Sequence, residues 1–295
     1  MTGRPFGIDG VRIGHHTDRS ARTGCTVVLF DRPVVASGEV RGGAPATRDF
    51  ALLEPTAAVG HIDAVVLTGG SAFGLAAADG VMRWCEEHGR GFPTSAGRVP
   101  IVPTLALFDL PVGNAAVRPT AGNGHAAAAE AAASDGSVVR TGPVGAGTGA
   151  RVGSWLGPTA AIDAGLGHAV LRHRDLVVAA LVAVNAWGSI VSGELPSIEH
   201  MSEDGFGPPD PPALNTTIGV VVTNARLTKT QCRSMAVAGH AGLARAIYPA
   251  NTPVDGDALV TAATGASGVD PTDGDLMALL ALSDAAVAAA IRSLS

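Results

Sequence analysis

The chain has 295 residues, 46% hydrophobic and 16% charged, with a formal net charge of -6. That is enough apolar material for one large domain or two small ones. No long basic run is present to displace counterions from phosphates, so nucleic acid is excluded as an expected partner.

The N-terminal stretch MTGRPFGIDG has no apolar signal core. The first expected strands are the Val-rich runs Cys25–Phe30, Val34–Val40 and Ile62–Leu67. A helix is expected over Ala72–His88 and another over His125–Ser134. Strands follow at Ala160–Leu171 and Leu176–Val191. The apolar stretch Leu176–Val184 is too short to cross a bilayer, so no membrane partner and a cytoplasmic location are expected. Thr217–Thr223 and Ala258–Ala263 complete the strands. The last helices are Lys229–Ile247, whose Thr228 and Gln231 fit a capping box, and Leu276–Leu294, with its stripe of Leu276, Leu279, Leu280, Val287, Ile291 and Leu294. Mixed elements over this length imply sheets covered by helices. Aromatics make up only 4%, so the expected core is of small aliphatic side chains. Sparse charge also suggests surface buried between subunits.

One segment breaks the pattern. Gly193–Leu214 reads GELPSIEHMSEDGFGPPDPPAL, with five prolines and no apolar period, and is expected to be an exposed flexible linker. It feeds directly into NTTIGVVVTN, among the most strand-like runs in the chain. A threonine hydroxyl is a weak nucleophile without a base beside it. If the peptide bond between Asn215 and Thr216 is cut, the freed α-amino group lies on the residue that carries the hydroxyl. Its unperturbed pKa of about 7.7–8.0 suits a general base at neutral pH. Asn-Thr-Thr is equally an ordinary strand start, in which Asn closes a turn and Thr favours β structure.

Seven motifs bear on that choice: ASGEVRGGAPATR (Ala36–Arg48), LTGGSAFGL (Leu67–Leu75), VPIVP (Val99–Pro103), VGAGTGA (Val144–Ala150), VNAWG (Val184–Gly188), NTTIGVVVTNARLTK (Asn215–Lys229) and DGD (Asp255–Asp257). In this order, along nearly the whole chain, they resemble the DmpA-type aminopeptidases and nylon-oligomer hydrolases, autoprocessing N-terminal-nucleophile enzymes. The resemblance implies a single domain with a layered α/β/β/α sandwich, cleavage into 1–215 and 216–295, no cofactor, a small peptide or amide substrate, and a homo-oligomer, often tetrameric. It makes Thr216 the nucleophile and places Asp255 and Asp257 beside it; taken alone, Asp-Gly-Asp also reads as a turn or a divalent-metal loop. Asn185 matches a residue whose amide donates to the oxyanion, and by itself reads as a strand-end turn residue. Ser154 stands where relatives often carry Lys, and Phe108 where some place Tyr, removing a cation and a hydroxyl donor.

Other signals carry less. GAGTGA, including Gly147, fits a dinucleotide loop nominally, but RVGSWLGP cannot supply the following helix. Its glycines then suit close backbone approach near the active site. GGSAFG fails the nucleophile-elbow pattern at Phe73, leaving Ser71 as a cap or pocket-lining residue, with the helix start able to meet a substrate carboxylate. Three dispersed cysteines argue against disulfides and zinc, and no histidine pair has H-E-x-x-H spacing, so no metal is expected. The expected function is an amide hydrolase. An acyltransferase passing the acyl-Thr216 group to an amine, as in ornithine acetyltransferases, and a non-catalytic binding protein on the same scaffold are the alternatives.

Overall fold

The computed structural model describes residues 5–157, 160–193, 195 and 214–295. The expected linker at 193–214 lies almost wholly outside the described residues. The largest sheet comprises β1 (Val11–Asp18), β2 (Thr23–Val40), β3 (Ala46–Arg48), β4 (His61–Thr68), β5 (Thr104–Ala106), β6 (Gly165–His173), β7 (Leu176–Asn185), β8 (Thr216–Thr223) and β9 (Ala258–Ala263). They run in the order β6-β7-β8-β9-β2-β4-β5-β3, with β1 also paired to β2. Four main helices cover it: α1 (Ala77–Glu87), α2 (Ala121–Ala133), α3 (Lys229–Ala246) and α4 (Asp273–Arg292).

The period-2 alternation of the strands divides the core into layers. Val177, Ala179, Leu181 and Ala183 of β7 enter a central cluster together with Ile218, Val220 and Val222 of β8, and with Val28, Phe30, Val65 and Leu67 of β2 and β4. The opposite faces of β7 and β8, including Val178, Val182 and Val221, meet α3 and α4 through Met235, Leu243, Leu279 and Ile291. Those of β2 and β4, including Val27, Leu29 and Val66, meet α1 and α2 through Val81, Ala127 and Ala131. Helices, half-sheet, half-sheet and helices therefore stack as the four layers of an α/β/β/α sandwich. Truncating Leu181, wholly enclosed in the central cluster, to alanine would cost about 2–5 kcal/mol.

β2 belongs to both halves. Its first part pairs antiparallel with β1 and β4, and residues 35–40 pair antiparallel with β9. Two strands, Cys25–Phe30 and Val34–Val40, were expected here; instead a register shift between Leu29 and Val34 lets one strand bend through both. The expected strand Leu176–Val191 stops at Asn185. Gly188 packs so closely on Tyr248–Pro249 that a Cβ would lie 2.0 Å from the Pro249 carbonyl, and Ser189–Ile190 pairs elsewhere. Within the expected Ala160–Leu171 strand, Ile162–Asp163 pairs with Arg151–Val152, and the strand of the large sheet begins at Gly165. The expected helix Ala72–His88 splits into a four-residue turn, Ser71–Gly74, and α1. α3 carries the predicted Thr228–Gln231 capping box, and matching boxes start α2 (Thr120, Asn123) and α4 (Thr272, Asp275). By length and composition α4 is apolar enough to cross a bilayer; it packs one face against α3, β6 and β7.

Candidate active site

β8 lies between β7 and β9, so its first residue emerges between the ends of two neighbours. In the antiparallel register Thr216 faces Asn185, the last residue of β7. On the other side Asn215 bridges in parallel to Asp255, just before β9. Asn215, Thr216, Asn185, Asp255 and Asp257 are all buried. The resemblance-derived residues therefore converge on one end of the sheet.

The Thr216 hydroxyl donates to the carbonyl of Asn215, the residue before it. The same carbonyl oxygen accepts the Gly256 N–H at 2.9 Å. Gly256 is fixed in kind as well as place: a Cβ there would lie 2.7 Å from Thr216 Oγ1 and 2.6 Å from the Ala44 carbonyl oxygen. The Gly42–Ala44 loop packs on it, with Ala44 N–H donating to the Asp255 carbonyl at 2.8 Å and Arg41 N–H to the Asp257 carbonyl at 2.9 Å. A hydroxyl beside a carbonyl whose oxygen already faces an N–H is the arrangement that an N-to-O acyl shift requires.

The two acids flank this glycine. Asp255 Oδ1 accepts Trp187 N–H at 3.1 Å, and Oδ2 accepts the Thr252 N–H at 3.1 Å and its hydroxyl at 2.5 Å. Asp257 Oδ1 accepts Thr217 N–H at 2.7 Å, which sets the carboxyl beside the Thr216–Thr217 backbone, and Oδ2 accepts Asn251 N–H at 3.0 Å. Burial raises the Asp255 pKa despite these donors. Burial, with the Asp255 charge adding to it, pushes Asp257 up to about 8. Among the described residues no cation offsets either shift, so near neutral pH the pair holds a proton that it can give or take back. Among the described residues no three His, Cys, Asp or Glu side chains gather as a metal site needs.

Asn185 is held from two sides: its Oδ1 accepts Arg151 N–H at 2.9 Å, and its Nδ2 donates to the Phe108 carbonyl at 2.9 Å. The second amide hydrogen remains for another acceptor. Phe108 thus enters the site through its backbone. Ser154 begins a short 3-10 turn whose flanks bind the segment after Asn185, Gly153 N–H to Gly188 O at 2.8 Å and Trp155 N–H to Trp187 O at 3.0 Å. Gly147 is buried where a Cβ would meet Leu166 N at 2.3 Å, so its smallness lets the glycine-rich loop approach β6. Ser71 caps nothing with its side chain and has a left-handed φ of 55°. The turn it begins is too short to provide the helix start considered for a carboxylate. No hydrogen bond joins it directly to Thr216 or the acids.

Sequence reasoning missed Gly256, Thr252, Asn251 and the buried Asp109. Asp109 accepts Thr23 Oγ1 at 2.7 Å and Gly70 N–H at 2.7 Å, joining the start of β2, the loop after β4 and the Phe108 segment. The signal for Gly256 was visible in Asp-Gly-Asp: two acids separated by the one residue that leaves room for a neighbouring hydroxyl.

Residues 7–294 match peptidase family S58. An uncharacterized aminopeptidase of Mycobacterium tuberculosis is 42% identical, over 90% of this chain and 83% of its own length. A 6-aminohexanoate-oligomer endohydrolase of Paenarthrobacter ureafaciens is 28% identical, over 96% of this chain and 81% of its own. Among solved structures, the L-aminopeptidase D-Ala-esterase/amidase of Ochrobactrum anthropi, described as a variant of the Ntn-hydrolase fold, superposes with a TM-score of 0.73. It covers 98% of this chain and 86% of its own at 18% identity.

Proposed function

The chain belongs to peptidase family S58 and is a hydrolase of the aminopeptidase type; from that premise we propose that it activates itself by cutting the Asn215–Thr216 bond and then hydrolyses small peptides or amides with Thr216 as nucleophile. One observation carries the reading: the Thr216 hydroxyl and the Gly256 N–H address the same Asn215 carbonyl, beside two buried acids.

In the first stage Thr216 Oγ attacks the Asn215 carbonyl carbon while Gly256 N–H stabilises the developing oxyanion. The C–N bond breaks, the departing nitrogen becomes the Thr216 α-amine, and its proton comes from the hydroxyl by way of the acid pair. Water then hydrolyses the ester, leaving an Asn215 carboxylate and restoring the Thr216 hydroxyl. In the second stage the new amine takes the hydroxyl proton, and an external acyl carbon occupies the place that Asn215 held. Asn185 Nδ2 offers its second hydrogen to that oxyanion, and Asp255 and Asp257 orient the ammonium and hydroxyl. This reading includes no cofactor, a homo-oligomer and a cytoplasmic location; light scattering and cell fractionation test the last two. The comparisons favour neither acyl transfer to an amine nor a non-catalytic binding role.

Intact mass of the purified protein under denaturing conditions tests the first stage. Two species, 1–215 and 216–295, are expected; a single uncut chain after prolonged incubation overturns the reading.

A further inference from the structure

Asn185 is gripped by two backbone groups, the Phe108 carbonyl and the Arg151 N–H, and both segments pack on one buried carboxyl. β5 ends at Ala106, so Phe108 lies beyond the ladder that would otherwise fix its peptide. The chain is held on either side of that carbonyl instead. Leu107 N–H donates to the Thr68 carbonyl at 2.9 Å, and the Leu107 carbonyl accepts Ser71 N–H at 2.9 Å. Asp109 is held through its side chain: Oδ1 accepts the Gly70 N–H and Oδ2 the Thr23 hydroxyl, each at 2.7 Å. These donors belong to separate elements, so the carboxyl cannot turn without breaking one of the two bonds. Glycines confine it further. A Cβ on Gly69 would lie 2.5 Å from Thr23 Oγ1 and collide with Asp109 Oδ2, and one on Gly149 would lie 3.0 Å from Asp109 Cβ. Gly149 stands two residues before Arg151, so the second segment that holds Asn185 also rests on Asp109. Burying a carboxyl is costly, and burial raises the pKa of this one against both donors. At 3% exposure it ties the peptide next to it to both neighbouring elements.

We infer that Asp109 is a positioning residue for Asn185: it fixes the Phe108 carbonyl that takes one amide hydrogen of Asn185, so that the other points to the acyl oxygen of a substrate at Thr216. The inference rests on the second stage of the proposed function, in which Asn185 serves the oxyanion. In the first stage the oxyanion donor is Gly256 N–H, and Asp109 has no part in it. The two stages therefore control for each other. A carboxyl that merely held the fold would affect both, whereas this one affects the second.

Asp109→Ala deletes both anchors. The assay, run after self-cleavage is complete, is hydrolysis of the aminoacyl p-nitroanilide that the parent turns over fastest. An oxyanion donor acts on the transition state and not on bound substrate, so kcat is expected to fall about 10- to 100-fold with KM within about 3-fold of the parent. Self-cleavage, followed by intact mass, is expected to stay within about 3-fold. Asp109→Asn keeps an oxygen for Gly70 N–H and turns its NH2 toward Thr23, whose hydroxyl accepts as well as donates. It is expected to hold kcat within about 3-fold of the parent. In an Asn185→Ala background, Asp109→Ala is expected to add no further loss. Should thermal unfolding show that Asp109→Ala has lost its fold, Thr23→Val replaces it; one anchor goes, and kcat is expected to fall about 3- to 10-fold with self-cleavage unchanged. Equal slowing of both stages, an unchanged kcat, or additive losses in the double variant overturns the inference and leaves the proposed function standing. A parent that cuts itself but hydrolyses no aminoacyl nitroanilide overturns the inference together with the second stage. An uncut parent chain overturns the proposed function itself.

Discussion

Two polar assemblies in this molecule are built on opposite principles. At the start of α3 the Lys229 ammonium reaches the carbonyls of Leu52, Ala57 and Val59 at 2.9, 3.2 and 3.1 Å. Three donors meet three acceptors, and the group is complete. At the start of β8 two carboxyls flank Gly256, and among the described residues no cation offsets the raised pKa of either. The first arrangement holds a loop. The second keeps a proton near neutral pH beside the Thr216 backbone, and a site of that kind is poised for proton transfer.

The largest test of this contrast is Thr216→Ala, which removes the hydroxyl that the acids serve. Cleavage is expected to vanish, with one intact mass after days of incubation, while Thr216→Ser keeps part of it. Gly256→Ala comes next. The added methyl meets Thr216 Oγ1 and the Ala44 carbonyl, and a displaced oxyanion donor is expected to slow cleavage about 100-fold or more, read from a mass time course.

Asp257→Asn tests the proton itself, best in the uncleavable Thr216→Ala background. Native Asp257 keeps its proton up to about 8, whereas the unfolded group loses it near 3.8. The folded state binds the extra proton between those values, so stability is full below about pH 4 and falls as pH rises toward 8. The variant, uncharged throughout, is expected to flatten melting temperature against pH across that window and to melt higher than its parent at pH 8. A parent curve that rises from pH 4 to 8, with the same slope in the variant, would count against the assignment. The smallest expected effect on chemistry is that of Lys229→Met. Urea unfolding should show a loss of about 1–3 kcal/mol from unpaired carbonyls, with the cleavage rate unchanged.

How far the sequence could be read depended on whether one residue or several carried the signal. Ala258–Ala263 was legible to the residue because a strand buried on both faces is almost wholly apolar. β1 was missed because VRIGHHTD puts two histidines inside the strand. The joined strand β2 was legible only as halves, since a bulge looks locally like a turn. At the site, Thr216 and the acids were singled out by resemblance, and their convergence on one sheet end follows from pairings between residues distant in sequence. Gly256 and Asn251 were hidden: a glycine between acids reads as a turn, and Asn251 reaches Asp257 only through its backbone N–H. Their meaning lies in which atom faces which, and spacing along the chain does not record that.

The place of β8 and β9 in the sheet settles what a nick at residue 215 could do to the whole. In the proposed cleavage these neighbours, with α3 and α4, would form the C-terminal fragment, paired on one flank to β7 and on the other to β2. The smaller piece is inlaid in the larger, so releasing it means unzipping two ladders and exposing two apolar layers at once. The two polypeptides should elute together, melt in one transition, and separate only in denaturant.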